Sequence, residues 1–406
     1  MFVRRKRRFV RRKDSLEESI NWAIHVTDDY THSQRPLKMV SGIALILAII
    51  ISIPLSIYIL KPFQEMVYRV DPEVYDALVS GETVMAYVTV KDVELDLNPV
   101  RVWHIGDLHI YKVKLSSTQE LHGLIHVPGV ISVYGEKKLR HAPLYFLDVK
   151  EYEGFDEVDI DNEFHKALGP WIGRNVTVAI IDTGIDYTHP DFFDEHNRSI
   201  IKVLASMLYV WSDNQEYVTW DLMENPNITE LLEFDKSVWN EFGEPAFLDI
   251  SGHGTHVAGI IAGRGWASNG KFKGIAPGSY LVVVKAFDKD GTANIDTCLE
   301  ALEWVYNNTE KYDIKILSLS WGASFASDGN DPLSLAVDEL VEKKGVFVFA
   351  AAGNEGNYPT TIVVPAVAKK AFAVGAWDAY KDKLLSLIHI SEPTRPLYIS
   401  YAVFCL

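Results

Sequence analysis

The sequence predicts an α/β protein: a parallel sheet with helices on both faces, preceded by a small α+β unit and one membrane-spanning helix. Three observations predict it. Nearly continuous apolar runs at 176–181, 280–284, 314–319 and 346–351 read as strands buried on both faces. Between them Ile295, Leu299, Leu302 and Val305, and later Leu333, Val337, Leu340 and Val341, recur at helical spacing. Residues 40–60 form a 21-residue stretch without a charge, which at ~1.5 Å per residue reaches roughly 31 Å, enough to cross a bilayer core.

Composition bounds the function. With 406 residues, 48% hydrophobic and 23% charged, the chain has ordinary globular usage, which excludes a wholly disordered, collagenous or coiled-coil protein. The net charge is −16, yet residues 1–13 hold eight Lys or Arg and no acid; without these eight the charge is −24. A body that acidic argues against nucleic acid as a partner, because phosphate binding needs a positive surface. Two cysteines, Cys298 and Cys405, allow at most one disulfide and supply no zinc-ligand pair.

In order along the chain, residues 1–38 are a basic arm and 39–61 a signal-anchor helix. Pro54 is tolerated inside a membrane helix, and a cleaved signal peptide would have a shorter apolar region nearer the start. The positive-inside rule puts the arm in the cytoplasm and everything after residue 61 outside. Four Asn-x-Ser/Thr triplets, at Asn175, Asn197, Asn227 and Asn307, fall on that outer side and permit glycosylation. Residues 62–150 read as a small α+β domain. Strands at 84–90, 109–115 and 130–134 are rich in β-branched residues. A helix lies between the last two, opened by Ser117 and Glu120 at capping-box spacing and closed by Val127-Pro128-Gly129. Residues 151–169 form an acidic linker and 170–386 the parallel-sheet domain. The tail 387–406 carries no clear periodicity.

Three segments carry chemistry. Asp182 stands at the carboxyl end of the first apolar run, where parallel sheets gather reactive groups; taken alone it reads first as a loop-capping Asp. His253, in G-H-G-T-H-V-A-G at 252–259, stands where a glycine-rich loop enters a helix, and the helix dipole there helps keep imidazole neutral. His253 and His256 are spaced to share a metal, but the Glu of a zincin motif is missing, and Gly252 and Gly254 mimic a phosphate cradle without a strand leading into them. Asn354, in A-A-G-N-E-G at 351–356, could donate to a developing oxyanion or simply form a turn.

Taken together these segments resemble the subtilisin-like serine peptidases over about 170–383. The resemblance is carried by D-T-G-I-D at 182–186, H-P-D at 189–191, G-H-G-T-H-V-A-G, G-I-A-P at 274–277, S-W-G at 320–322 and A-A-G-N-E-G. It implies a subtilisin-like fold, polypeptide substrates and no required cofactor. Asp182 would orient His253, His253 would be the general base and Asn354 an oxyanion donor, while Ser320, Trp321 and Gly322 would line the substrate cleft with backbone groups. Trp321 hints at a distinct S1 wall. The 62–150 domain resembles, more loosely, the inhibitory propeptide of this family, released by processing within about 147–171. A structural calcium is a further implication, since Asp191 falls at a family ligand position, although 265–273 replaces the usual loop after the His helix.

The sequence also departs from the family. The nucleophilic serine of the mechanism belongs to a G-T-S-x-A-x-P segment, which these 406 residues do not contain. Ser386, Ser391 and Ser400 have no glycine-rich turn before them, and the tail LIHISEPTRPLYISYAVFCL resembles translated sequencing adapter. The expectation is a reading frame truncated at its 3′ end and inactive as written; the alternative is a serine-less homologue that binds peptides. Asp182 and His253 are separated by a segment at 195–248, rich in Trp and acid, that reads as an insertion forming either a rim or surface decoration.

Overall fold

The computed structural model describes residues 69–141, 171–208, 217–325, 327–354 and 361–375, with the backbone of 377–378 and 383–384. The basic arm, the apolar stretch 40–60, the acidic linker and the tail lie outside these residues, and no helix among the described residues is long and apolar enough to cross a membrane.

Residues 69–141 contain helices α1 (Pro72–Val79) and α2 (Thr118–Ile125) and strands β1 (Val84–Lys91), β2 (Arg101–Ile105), β3 (Leu108–Leu115), β4 (Val130–Gly135) and β5 (Lys138–His141). The first four strands make an antiparallel sheet in the order β2-β3-β1-β4. Each helix starts at a cap: Asp71 accepts from Glu73 N–H and Pro72 occupies the first turn of α1, while Ser117 accepts from Glu120 N–H at the start of α2. The Glu120 carboxylate reaches back to Ser116 N–H at 2.8 Å, one residue beyond the capping-box partner.

The second part holds β6 (Thr177–Asp182), β7 (Ile201–Ser206), β8 (Val218–Asp221), α3 (Ile228–Phe242), α4 (His253–Ala262), β9 (Tyr280–Lys285), β10 (Thr292–Asn294) and α5 (Ile295–Tyr312). It continues with β11 (Ile314–Leu319), β12 (Trp321–Gly322), α6 (Pro332–Lys344), β13 (Phe347–Ala351) and β14 (Phe372–Val374). Seven strands form one sheet in the order β14-β13-β11-β6-β9-β7-β8, parallel throughout except for the edge strand β8. Alternation along each strand sorts the two faces. Val178 and Ile180 of β6 and Leu281 and Val283 of β9 pack with Leu231 and Val238 of α3 and Ala258 and Ala262 of α4. Ala179, Ile181, Val282 and Val284 pack on the other face with α5 and α6.

The segment 195–248, read from sequence as an insertion, contributes two described elements to the core of the sheet domain. It supplies β7, which lies inside the sheet beside β9, and α3, whose Leu231 and Val238 are buried in the core. Its acidic, Trp-rich flanks hide an ordinary buried strand.

The N-terminal sheet rests on α5 and α6, and Tyr87, Trp103, Ile105 and Ile110 join the same core as those helices. Around this apolar centre the helices present carboxylates to basic groups of the sheet. Lys112 pairs with Asp296 at 2.6 Å, Lys91 with Glu339 at 3.0 Å, and Arg101 with buried Glu300. Glu339 also accepts from Asp107 N–H at 3.0 Å beneath the β2–β3 turn. Gly106 in that turn has φ +62°, and a Cβ there would overlap the Glu339 carboxylate.

Candidate active site

Because β6, β9, β11 and β13 run parallel, their carboxyl ends share one edge of the sheet. Asp182 is the last residue of β6, Lys285 the last of β9, Ser320 follows β11, and Asn354 lies three residues beyond β13. Helix α4 starts at His253 after Gly252, whose φ of 85° turns the chain into the helix. His253 Nδ1 lies 2.6 Å from Asp182 Oδ1, and both side chains are buried. The same oxygen accepts Thr183 N–H at 2.8 Å. Asp182 Oδ2 is buried with no hydrogen-bond partner among the described residues.

The glycines of the two motifs are there for close approach. A Cβ on Gly254 would overlap the carbonyl oxygen of Gly184, and one on Gly184, at φ +107°, would overlap that of Phe247. The turn after β6, the start of α4 and the end of the 195–248 segment are therefore stacked backbone on backbone.

Side chains without a motif hold this stack. Asp235 of α3 is buried and accepts from Phe247 N–H at 3.0 Å, Leu248 N–H at 2.8 Å and Tyr187 O–H at 2.9 Å. Burial pushes its carboxyl above the ordinary range, and those three donors and Lys285 offset the rise. Lys285, almost fully buried, donates to Leu248 O at 2.8 Å and pairs with Glu244 Oε1 at 2.9 Å. Asp249 accepts from Gly252 and Thr255 N–H and from two hydroxyls. No periodicity marks these residues; the one signal is a string of acids just before the G-H-G-T-H motif.

Ser320, Trp321 and Gly322 follow directly on β11. The indole of Trp321 is buried, donates to Ile181 O at 2.9 Å and packs on Phe287, so this side chain belongs to the core and does not form a pocket wall. What the segment offers is backbone, and that backbone is taken: β12 pairs antiparallel with β5, Trp321 opposite His141 and Gly322 opposite Arg140. On its other side β5 pairs with β10, Thr292 opposite Arg140 and Asn294 opposite Lys138. Leu139, in the middle of β5, is fully buried.

His256 points outward, and desolvation first and the nearby His253 second lower its pKa. His253 is turned to Asp182, and among the described residues no three His, Cys, Asp or Glu gather as metal ligands. Asp191 Oδ1 accepts Ala267 N–H at 2.8 Å, which ties this carboxylate to the 265–273 loop that follows α4. Asn227 caps α3 through its side chain, accepting from Thr229 and Glu230 N–H, while Asn307 is exposed on α5.

Comparison with known proteins agrees with this geometry. The chain is 34% identical over 212 residues to serine protease AprX of Bacillus subtilis, covering 51% of this chain and 39% of AprX. It is 31% identical over 217 residues to a subtilisin of Bacillus pumilus, covering 52% of this chain and 60% of that protein. It is 31% identical over 234 residues to pyrolysin of Pyrococcus furiosus, covering 50% of this chain and 15% of pyrolysin. The chain thus spans less than two thirds of the length of each of these relatives. The Subtilase family (Peptidase S8) matches residues 173–392, more than half of the sequence. With that match and the fold just described, the chain is a member of the Subtilase family.

Proposed function

We propose that this chain belongs to a serine endopeptidase that cleaves polypeptides by Asp–His–Ser acyl transfer, is anchored in a membrane by residues 40–60 with its catalytic domain outside, and is written as a zymogen. The observation that carries the reading is the buried 2.6 Å contact of His253 Nδ1 with Asp182 Oδ1. An ionised carboxylate accepts only, so Nδ1 carries the proton and Nε2 is the basic nitrogen of the neutral ring. As Nε2 takes a proton from an attacking hydroxyl, the imidazolium is stabilised by Asp182. Asn354, three residues beyond β13, is the candidate donor to the oxyanion, an effect worth about 3 kcal/mol in acyl transfer. The relatives' names, serine protease and subtilisin, support the reaction class.

The zymogen reading rests on β5. An extended strand of the chain's own N-terminal part lies between β10 and β12, hydrogen-bonded to both as a bound peptide would be. Residues 69–141 then act as an inhibitor of the domain that follows. Support for the anchor and its orientation comes from sequence: the apolar stretch and the basic arm before it.

A second reading, a peptide-binding homologue without catalysis, would keep the β10 and β12 edges that hold an extended strand and dispense with a nucleophile. Sequencing the source DNA through the codon for Ser386 and beyond, then treating the expressed product with a fluorophosphonate, separates the two. A continuous frame reaching a G-T-S-x-A-x-P segment, with covalent labelling of its serine, is the expected result for the peptidase. A confirmed stop after Leu406 and no labelling would leave the binding protein.

A further inference from the structure

Helix α4 carries His253 as its first residue, and the N-cap position before it is Gly252, which has no side chain to cap with. Asp249, three residues upstream, performs that task. Its Oδ1 accepts Gly252 N–H at 2.8 Å and its Oδ2 accepts Thr255 N–H at 2.8 Å, so the carboxylate holds the backbone on both sides of His253. Oδ2 also accepts the Thr255 hydroxyl at 2.7 Å, whose oxygen in turn accepts Asp186 N–H at 2.9 Å.

The link to Asp182 runs through Thr183. Its hydroxyl lies 2.8 Å from Asp249 Oδ1 and 3.2 Å from Asp182 Oδ1, and it accepts Gly254 N–H at 2.9 Å. A hydroxyl has one proton to give. Directed along the shorter contact to Asp249, it presents a lone pair to Gly254 N–H and leaves Asp182 Oδ1 to Thr183 N–H and the imidazole. Asp249 is thereby bonded to the turn after β6 and to the first turn of α4, the two elements that carry the acid and the base.

We infer that Asp249 is a positioning residue for the Asp182–His253 pair: its carboxylate sets the start of α4 against the turn after β6, and so sets the 2.6 Å contact between them. The inference rests on the reading of Asp182 and His253 as a catalytic pair, and it adds a third carboxylate that does not touch substrate. Its negative charge at the positive end of α4 also favours the imidazolium formed during proton transfer.

The test uses the full chain and reads the strongly deshielded proton resonance of a histidine Nδ1–H hydrogen-bonded to a carboxylate, assigned to His253 by its loss in His253→Gln. In Asp249→Ala this line should vanish or move upfield while the thermal transition stays cooperative. Asp249→Asn, which keeps an acceptor oxygen, should retain the line in weakened form, and Thr255→Val should shift it by less. Ser117→Ala removes the side-chain cap of α2 and serves as control: it should lower the melting temperature and leave the line in place. An unchanged line in both Asp249 variants would overturn the inference while the pair itself stands. Absence of the line from the unmutated chain would overturn the pair and the inference together. Should Asp249→Ala fail to fold, the Asp249→Asn and Thr255→Val lines decide alone.

Discussion

Around His253 and Asp182, buried charges are held by partners brought in from the 195–248 segment, and their cost can be measured residue by residue. Asp235 has its carboxyl pKa raised above the unfolded value of about 3.9. The folded state therefore binds this proton more tightly, and stability from the site is gained as pH falls through the folded value and lost as pH rises again. The melting temperature of the unmutated chain, relative to Asp235→Asn, should rise as pH is lowered from neutral toward about 4; a flat difference across thermal melts would refute it. Lys285 and Glu244 form a buried pair at 2.9 Å beside the end of β6. Lys285→Met alone leaves the Glu244 carboxylate buried without its cation, held only by Lys289 N–H, an expected loss of about 3–5 kcal/mol, whereas Lys285→Met with Glu244→Leu should recover most of it. Denaturation of the two variants tests this, and equal losses in the single and double variants would show that the pair does not act as a unit.

Among the elements, β5 has the most specific placement. Four mostly polar residues, Lys138–His141, would not form a strand on their own account, because hydrogen bonds from β10 on one side and β12 on the other create it. Its single apolar anchor is Leu139, buried in the core shared with Trp321 and Phe287. Leu139→Arg should free the strand while leaving β1 to β4 paired. Hydrogen exchange should then accelerate at Thr292–Asn294 and Trp321–Gly322 and stay unchanged in β1 and β3. Protection retained in β10 and β12 would mean that backbone pairing alone holds β5.

For the molecule as a whole, the described residues belong to one compact unit. Tyr87, Trp103, Ile105 and Ile110 are buried against α5 and α6, and Asp296, Glu300 and Glu339 on those helices find their cations on the N-terminal sheet. Expressing residues 171–406 without 69–141 exposes that apolar surface and leaves those carboxylates unpaired. The product should elute as aggregate in size-exclusion chromatography, and supplying residues 69–141 in trans should increase the monomer fraction. A monomer of undiminished yield without them would show that the second part needs no cover.

Local pattern was enough for the elements that repeat or obey a motif. The strands β6, β9, β11 and β13 were legible as apolar runs, and α5 and α6 as stripes at helical spacing, because burial on both faces or on one face leaves its period in the sequence. The meeting of Asp182 with His253 was implied by the family resemblance that their two glycine-bearing motifs carry, and in the fold those glycines let backbone pass against backbone. The tertiary structure alone decided the rest. It made β5 a strand and put β7 inside the sheet. It turned the Trp321 side chain into the core, and it brought Asp235, Glu244 and Asp249 to the edge where α4 begins. Each of these depends on a partner far along the chain, and a hydrogen bond or ion pair between distant residues leaves no period in either segment.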